Sequence, residues 1–342
     1  MHMYFEEHSP RQGPVGSLRQ RLRLLLLWLI AIDGDEDLLL KYKNYIPMSS
    51  MTNYIFFFGG RVRTLRGRRQ LSLGVLFIIV VPAVLFSIFE THPIWLHNQG
   101  YKSLVVLFYY FWCLTLAMFL MAATSDPGCL PRNLHVPQVS RNFQVPQEYY
   151  NIVNLPSIRQ DIPIQMKYCR TCRIWRPPRA SHCSTCGCCV IVHDHHCVWI
   201  NNCVGQRNYR FFITFLSSAV MTCILLIANC GTHLHRTDNG SHGTPVSVLL
   251  IIWGGLSICY PATLLSYHIA MTGTQQTTRE YLVQIGSKNP VMHRIRSNAQ
   301  NVFDTRQFFK NMFLLMAQVR GPKLMNPRES HPSGDWRFMK LP

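Results

Sequence analysis

Apolar residues gather in four long runs of an otherwise mixed chain. Leu71 to Phe89 carries no charged residue, and its length approaches the roughly twenty apolar residues that a helix needs to cross a bilayer. Ser103 to Ala123, Phe211 to Cys230 and Val246 to Ala270 repeat the pattern, so four transmembrane helices are predicted. Pro82 inside the first run predicts a kink, which neighbouring helices tolerate within a membrane. A shorter run, Leu24 to Ile32, is insufficient to span. Arg19, Arg21 and Arg23 precede it and Asp33, Asp35, Glu36 and Asp37 follow it without a cleavage site, so it is read as disordered or as an amphipathic surface helix rather than a signal peptide. Asn53 to Arg61 reads as a short aromatic strand broken by Gly59 and Gly60. Asn301 to Val319 places Phe308, Met312, Leu315 or Met316, and Val319 on one helical face with Phe309 and Phe313 adjoining. It predicts an amphipathic helix packed on the spans or lying on the bilayer.

Charge placement orients these helices. Only 15% of the 342 residues are charged and 48% are hydrophobic, against about a quarter charged in soluble domains. The net charge of +18 would suit nucleic acid, an anionic membrane surface or an anionic substrate. Arg61, Arg63, Arg66, Arg68 and Arg69 stand immediately before the first span, so the chain enters the membrane from the cytosol and no nucleic-acid partner is expected. Glu90 to Lys102 carries one lysine. Gly231 to Thr244 carries only Arg236 and the glycosylation pattern Asn239-Gly240-Ser241. Both are read as luminal loops, which leaves both termini and the middle segment cytosolic. The expected organisation is a cytosolic region 1–70, two spans in 71–123, a cytosolic linker and cysteine-rich region in 124–210, two spans in 211–270, and a cytosolic region 271–342. Pro131, Pro137, Pro146, Pro156 and Pro163 make the linker irregular.

The middle segment carries the chemistry. Eight of the thirteen cysteines lie between Cys169 and Cys203, arranged as Cys169-x2-Cys172, then His182-Cys183-x2-Cys186-x2-Cys189, then Asp194-His195-His196-Cys197 and Cys203. Thiols two residues apart present paired soft ligands to one zinc ion, and the interleaved histidines favour metal over disulfides. Two ions are expected, and reduced thiolate ligands require the cytosolic side. Eight thiolates would make two all-cysteine sites. Three cysteines and one histidine per ion would instead leave Cys188, Cys197, His193 and His195 over, and the residues alone leave both partitions open. Asp194, His195 and Cys197 supply an orienting carboxylate, a base and a nucleophile. Asp126-Pro127-Gly128 reads as a turn at a helix end, and Thr277-Thr278-Arg279-Glu280 as a capping box.

The cysteine run, with Asn208 and Phe212 after it, resembles the Asp-His-His-Cys domain of protein S-acyltransferases, and is most similar to the Ras-directed branch. The resemblance spans roughly residues 53 to 319. It implies a mainly α-helical membrane protein with four spans and a cytosolic cysteine-rich domain binding two structural zinc ions. One ion falls to Cys169, Cys172, His182 and Cys189, the other to Cys183, Cys186, His196 and Cys203. Cys197 becomes the acylated nucleophile, His195 its base and Asp194 the group holding the imidazole, while Cys188 matches no ligand position. Asp126, Pro127, Gly128, Thr277, Thr278, Glu280 and Asn311 match motifs that support the active site. Val302 and Arg306 depart from the C-terminal motif, where a proline and a glycine are usual.

The implied reaction moves a long-chain acyl group from acyl-CoA, palmitoyl-CoA above all, through Cys197 to a cysteine of a membrane-associated protein. The resemblance suggests a Ras-like GTPase as acceptor, a small accessory subunit, and the endoplasmic reticulum or Golgi as location. Cys203 lies only a few residues before the third span, so Cys197 is expected at the membrane surface, where an acyl chain gains from burial. Trp199, Phe212 and Phe215 are candidates to line the acyl groove, and Arg176 and Arg179 to meet coenzyme A phosphates. The rival from another class is a membrane-anchored zinc-finger adaptor without transferase activity. A transporter fits less well, because no span contains Asp, Glu, Lys or Arg and the lone His268 sits near a span end.

Overall fold

Uncharged runs inside a bilayer must satisfy their backbone polar groups internally, and helices do this. The computed structural model describes residues 30–31, 52–66, 71–97, 101–132, 153–155, 164–236, 244–284, 301–317 and 323–324. Helices α1 (Leu71–Phe89), α2 (Thr91–His97), α3 (Lys102–Thr124), α4 (Tyr209–Arg236) and α5 (Thr244–Gly273) run through its first three quarters. Of these, α1, α3, α4 and α5 are long and apolar enough to cross a membrane, where the runs predicted them. With 28 and 30 residues, α4 and α5 extend past the apolar runs at both ends. The central helix is α4, packed along both α3 and α5. Pro82 sits inside α1, and Trp112 of α3 donates to the Ile79 carbonyl nearby at 3.0 Å.

The segment Glu90 to Lys102 is not a plain loop, since α2 lies within it. Glu90 is fully buried. Its carboxylate accepts from Ser247 Oγ at 2.7 Å and meets His233 Nδ1 at 2.5 Å, tying together the ends of α1, α4 and α5 farthest from the cysteine-rich segment.

Before α1, strands β1 (Ile30–Ala31), β2 (Tyr54–Phe57) and β3 (Val62–Leu65) form one antiparallel sheet. The aromatic strand foreseen at Asn53 to Arg61 is thus one arm of a hairpin that turns at Phe58–Gly60. Disorder or a surface helix was expected from Leu24 to Ile32, yet Ile30 and Ala31 are extended because they pair with Phe57 and Phe56. The rest of that run lies outside the described residues, as do Asn239-Gly240-Ser241, Val319 and Arg68 and Arg69.

The cysteine-rich segment is built from very short strands. β4 (Cys129–Leu130), β9 (Ser181–Cys183) and β10 (Cys188–Val190) make a sheet in the order β4-β10-β9, and β5 (Val153–Leu155) pairs with β6 (Ile164–Met166). β7 (Tyr168–Cys169) pairs with β8 (Ile174–Trp175), and β11 (His195–Cys197) with β12 (Asn202–Val204). Strands this short bury little surface, so cross-links must hold them.

After α5 come α6 (Thr278–Gln284) and α7 (Phe308–Ala317). The amphipathic helix foreseen from Asn301 is therefore shorter. Asn301 Oδ1 accepts from Phe303 N at 3.0 Å and Asp304 Oδ1 from Arg306 N at 2.7 Å, and these local bonds compete with helix. Its inward face holds Leu315 of the foreseen face and is centred on Asn311, which was not part of that face. Asn311 is fully buried and Leu315 packs on the core, whereas Phe308 is 40% and Phe309 82% exposed.

Candidate active site

Side chains alternate faces along a strand, and this alternation sorts the cysteine-rich segment. His182 and Cys183 are adjacent on β9 and join different clusters. On β11, His196 turns to one side while His195 and Cys197 share the other. The donor atoms of Cys169, Cys172, His182 and Cys189 lie within 4.8 Å of one another, as do those of Cys183, Cys186, His196 and Cys203. In each knuckle a backbone N–H meets the first sulfur, Cys172 N to Cys169 Sγ and Cys186 N to Cys183 Sγ, both at 3.4 Å. Gly187 makes the second turn possible with a φ of +70°.

These clusters fit metal. In the second, hydrogen bonds from Cys186 and Cys203 pull the Cys183 thiol far down, and the same proximity to Cys183 pushes Cys186 and Cys203 up. Thiols packed this closely oppose one another's ionisation, and a cation shared among them relieves that conflict. Three thiolates with one imidazole is the donor set of a closed, structural zinc site, so each cluster can hold such an ion. Cys188 belongs to neither: it is fully buried, its Sγ 2.9 Å from that of Cys129. His193 Nε2 stands 3.5 Å from Cys203 Sγ, also outside the four.

On the other face of β11, Asp194 Oδ2 accepts from His195 Nδ1 at 2.7 Å and Asp194 Oδ1 from Thr278 N at 2.8 Å. Burial alone would raise the Asp194 carboxyl, but His195 and the Thr278 N–H hold it below the usual range. Burial likewise pulls the His195 imidazole down, and its bonds to Asp194 and the neighbouring Cys197 sulfur outweigh that, pushing it up to about 9. Cys197, 6% exposed, lines an apolar cavity of about 500 Å³ between α1, α3, α4 and α5, together with Trp199, Phe212 and Phe215.

The flanking motifs converge on this centre. Thr277 and Glu280 form the reciprocal cap of α6: Glu280 N donates to Thr277 Oγ1 at 3.1 Å and Thr277 N to Glu280 Oε2 at 2.9 Å. That cap aims the Thr278 N–H at Asp194. Glu280 also receives Arg179 Nε and Nη2, each at 2.8 Å. Arg179 is therefore held inside the protein, while Arg176 reaches the Lys167 carbonyl at 3.3 Å. Asn311 Nδ2 donates to the Gly273 carbonyl at 2.8 Å, and Gln275 Nε2 donates to the Asn311 carbonyl at 3.0 Å. Asp126 Oδ1 accepts from Gly128 N at 3.0 Å and Cys129 N at 3.1 Å. The Pro127 carbonyl accepts from Arg207 N at 3.3 Å, and Gly128 takes a φ of +107°.

Several participants were not foreseen. Arg63, read as one of a run of membrane-surface charges, is 1% exposed. It pairs with Asp126 at 3.1 Å and stacks on Tyr54 and Phe56. Tyr54 brings its hydroxyl 3.1 Å from Cys186 Sγ and 2.8 Å from Asn202 Oδ1. The hairpin thereby becomes a wall of the second cluster. Only the glycine-bounded aromatic run announced it. His268, noted only as a lone histidine near a span end, faces Asp194 and His195 across the site.

Comparison with known proteins agrees with this geometry. Residues 162–285 match the family described as DHHC palmitoyltransferase. The chain is 53% identical to "Palmitoyltransferase ERF2" of Saccharomyces cerevisiae over 340 residues, covering 98% of this chain and 92% of that protein. It is 47% identical to the protein of the same name in Eremothecium gossypii over 336 residues, covering 98% and 90%. In Candida glabrata the figures are 54% over 310 residues, covering 88% and 93%. The chain belongs to the DHHC palmitoyltransferase family, and its activity is protein-cysteine S-palmitoyl transfer.

Proposed function

We propose that Cys197 carries the acyl group, with His195 as general base and acid and Asp194 as the group that orients the imidazole. One observation carries this reading: Cys197 lines the apolar cavity between the four spans while His195, bonded to Asp194, shares its face of β11. Two zinc ions, held by Cys169, Cys172, His182 and Cys189 and by Cys183, Cys186, His196 and Cys203, serve as closed structural sites that stiffen the loop around Asp194 to Cys197.

The donor is a long-chain acyl-CoA such as palmitoyl-CoA. In the first half, the Cys197 proton rests on His195 and the thiolate sulfur attacks the thioester carbonyl. The carbon–sulfur bond to coenzyme A breaks, and His195 protonates the departing thiolate. In the second half, an acceptor cysteine gives its proton to His195 and its sulfur attacks the acyl-enzyme. Cys197 leaves as the thiolate and the proton stays on His195, which restores the starting pair. The acyl chain rests in the cavity throughout, where each buried methylene contributes about 0.8 kcal/mol. Arg176 on the outer face of the knuckles is the better candidate for a coenzyme A phosphate, since Arg179 is engaged by Glu280.

The acceptor is a membrane-associated protein with a surface cysteine near the bilayer, a Ras-like GTPase by resemblance, with a small accessory subunit as a further partner. Reduced thiolate ligands support a cytosolic cysteine-rich domain and cytosolic termini, in the membrane of the endoplasmic reticulum or Golgi. Incubation with labelled palmitoyl-CoA should place hydroxylamine-labile label on Cys197 and none on Cys197→Ser, with zinc content unchanged. Label retained by Cys197→Ser, or zinc lost from it, would sink the assignment; absence of label in both proteins is what a zinc-finger adaptor predicts.

A further inference from the structure

α5 brings a second imidazole to the centre. His268 is 2% exposed, and one of its nitrogens, a carboxylate oxygen of Asp194 and a ring nitrogen of His195 lie within 4.8 Å of one another. Its ring is 5.8 Å from that of His195 at 34°, and Phe212 stands edge-on to both, 5.5 Å from His195 and 5.1 Å from His268. The imidazole of His195 is thus bounded by Phe212 and His268 as well as tethered to Asp194. Distances of this kind fix a ring plane, which a single hydrogen bond at Nδ1 does not, because the ring can still tilt about that bond.

His268 is itself fixed. Its Nδ1 lies 2.9 Å from the Tyr209 hydroxyl, and Tyr209 opens α4 with its own N–H on the Gly205 carbonyl at 2.9 Å. With the Tyr209 hydroxyl as donor, Nδ1 is the acceptor and the ring proton sits on Nε2. An imidazole that accepts at one nitrogen is neutral. Both half-reactions place a proton on His195, and a neutral neighbour neither repels that charge nor competes for the proton.

We propose that His268, locked as its neutral Nε2-protonated tautomer by Tyr209, is a positioning residue for acyl transfer: it sets the plane of the His195 ring and leaves the transferred proton to His195. The inference rests on His195 being the base, as proposed above. Displacing a reacting group by a fraction of an ångström lowers the rate without changing how substrate binds, and this separates the idea from a purely structural role.

The test uses the full-length enzyme in detergent, following the rate of Cys197 acylation against palmitoyl-CoA concentration, with zinc content measured in parallel. His268→Phe keeps a ring but cannot accept from Tyr209, so nothing holds its plane against His195. It should lower the maximal rate about tenfold or more while the half-saturating concentration stays within about twofold and zinc is retained. His268→Gln should recover part of that loss. Tyr209→Phe should fall in the same direction, and the double variant should be no slower than His268→Phe alone. A His268→Phe enzyme within about twofold of the parent rate, or one whose rate falls only in proportion to lost zinc, would overturn the proposal. So would multiplicative effects of the two single variants. Should His268→Phe not fold, the decision passes to His268→Gln and Tyr209→Phe, and parental rates in both refute it. His195→Ala labelled at the parent rate would instead refute the assignment of the base.

Discussion

His195 keeps its proton well beyond the range of a free imidazole, up to about 9, because Asp194 and Cys197 outweigh the effect of burial. A free imidazole titrates near 6.5. The folded value is the higher one, so this interaction stabilises the protein fully below about pH 6.5 and is lost as pH rises through about 9. Asp194→Asn removes the charge that sustains it and presents an amide that cannot accept from both His195 and the Thr278 N–H. Acylation of Cys197 by palmitoyl-CoA should fall about a hundredfold or more. Thermal stability between pH 6.5 and 9.5 should decline in the parent and stay nearly level in the variant; equal slopes would show that the pair is not coupled as described. The grouping of Asp194, His195 and Cys197 was legible because they lie in one contiguous run, and the alternation of β11 turns His196 away from His195 and Cys197. His268 was not: more than seventy positions of sequence separate it from Cys197, and a single histidine near a span end carries no local signal. The same limit applied to Arg179. As a member of a basic run it read as a phosphate contact, and only the fold brings Glu280, 101 positions away, to within 2.8 Å.

Elements whose character is set locally were foreseen, and those set by distant partners were foreseen only in part. The four long helices follow from hydropathy, and the cap of α6 from Thr277 and Glu280. The hairpin β2–β3 depended on context. Its aromatic strand was apparent, but its return strand contains Arg63, which belongs by spacing to the basic run before α1. Tertiary structure decides otherwise: Arg63 stacks on Tyr54 and Phe56 and reaches Asp126 in the turn after α3. A buried guanidinium without its carboxylate is costly, and so is the reverse. Arg63→Met therefore leaves Asp126 with Arg207 at 3.3 Å and the Gly128 and Cys129 N–H groups, and should cost about 3 kcal/mol. The expected result is a lower midpoint of thermal unfolding in detergent and earlier release of zinc on heating, because Tyr54 of the same hairpin meets Cys186. An unchanged midpoint together with unchanged zinc release would show that the hairpin is not a wall of the metal site.

At the scale of the whole molecule, chemistry at one end of the helix bundle is joined to a cavity that runs toward the other. Cys197, Trp199 and Phe212 stand at its mouth, and Ala83, Phe108, Leu226 and Trp253 line it deeper along the helices. From Phe212 to Leu226 the helix α4 advances about 21 Å, a depth suited to a long extended chain. Beyond lies a packed cluster containing Ala83, Phe86, Phe108 and Leu226, and past that the Glu90–His233–Ser247 bonds that hold α1, α4 and α5 together. A cavity closed by packed side chains measures chain length, because a methylene that does not fit loses its burial and strains the wall. Ala83 is 3% exposed at the junction of cavity and cluster, so Ala83→Phe should shorten the space without touching the reacting groups. If three terminal methylenes are excluded, the loss is about 2.4 kcal/mol, roughly fiftyfold in relative preference. With a series of acyl-CoA donors, Cys197 of the variant should accept a twelve-carbon chain about as fast as the parent does (roughly within twofold) and a sixteen-carbon chain far more slowly. An equal loss for both lengths would place the obstruction at the mouth rather than the floor. No loss for either would mean that the acyl chain leaves Cys197 by another route.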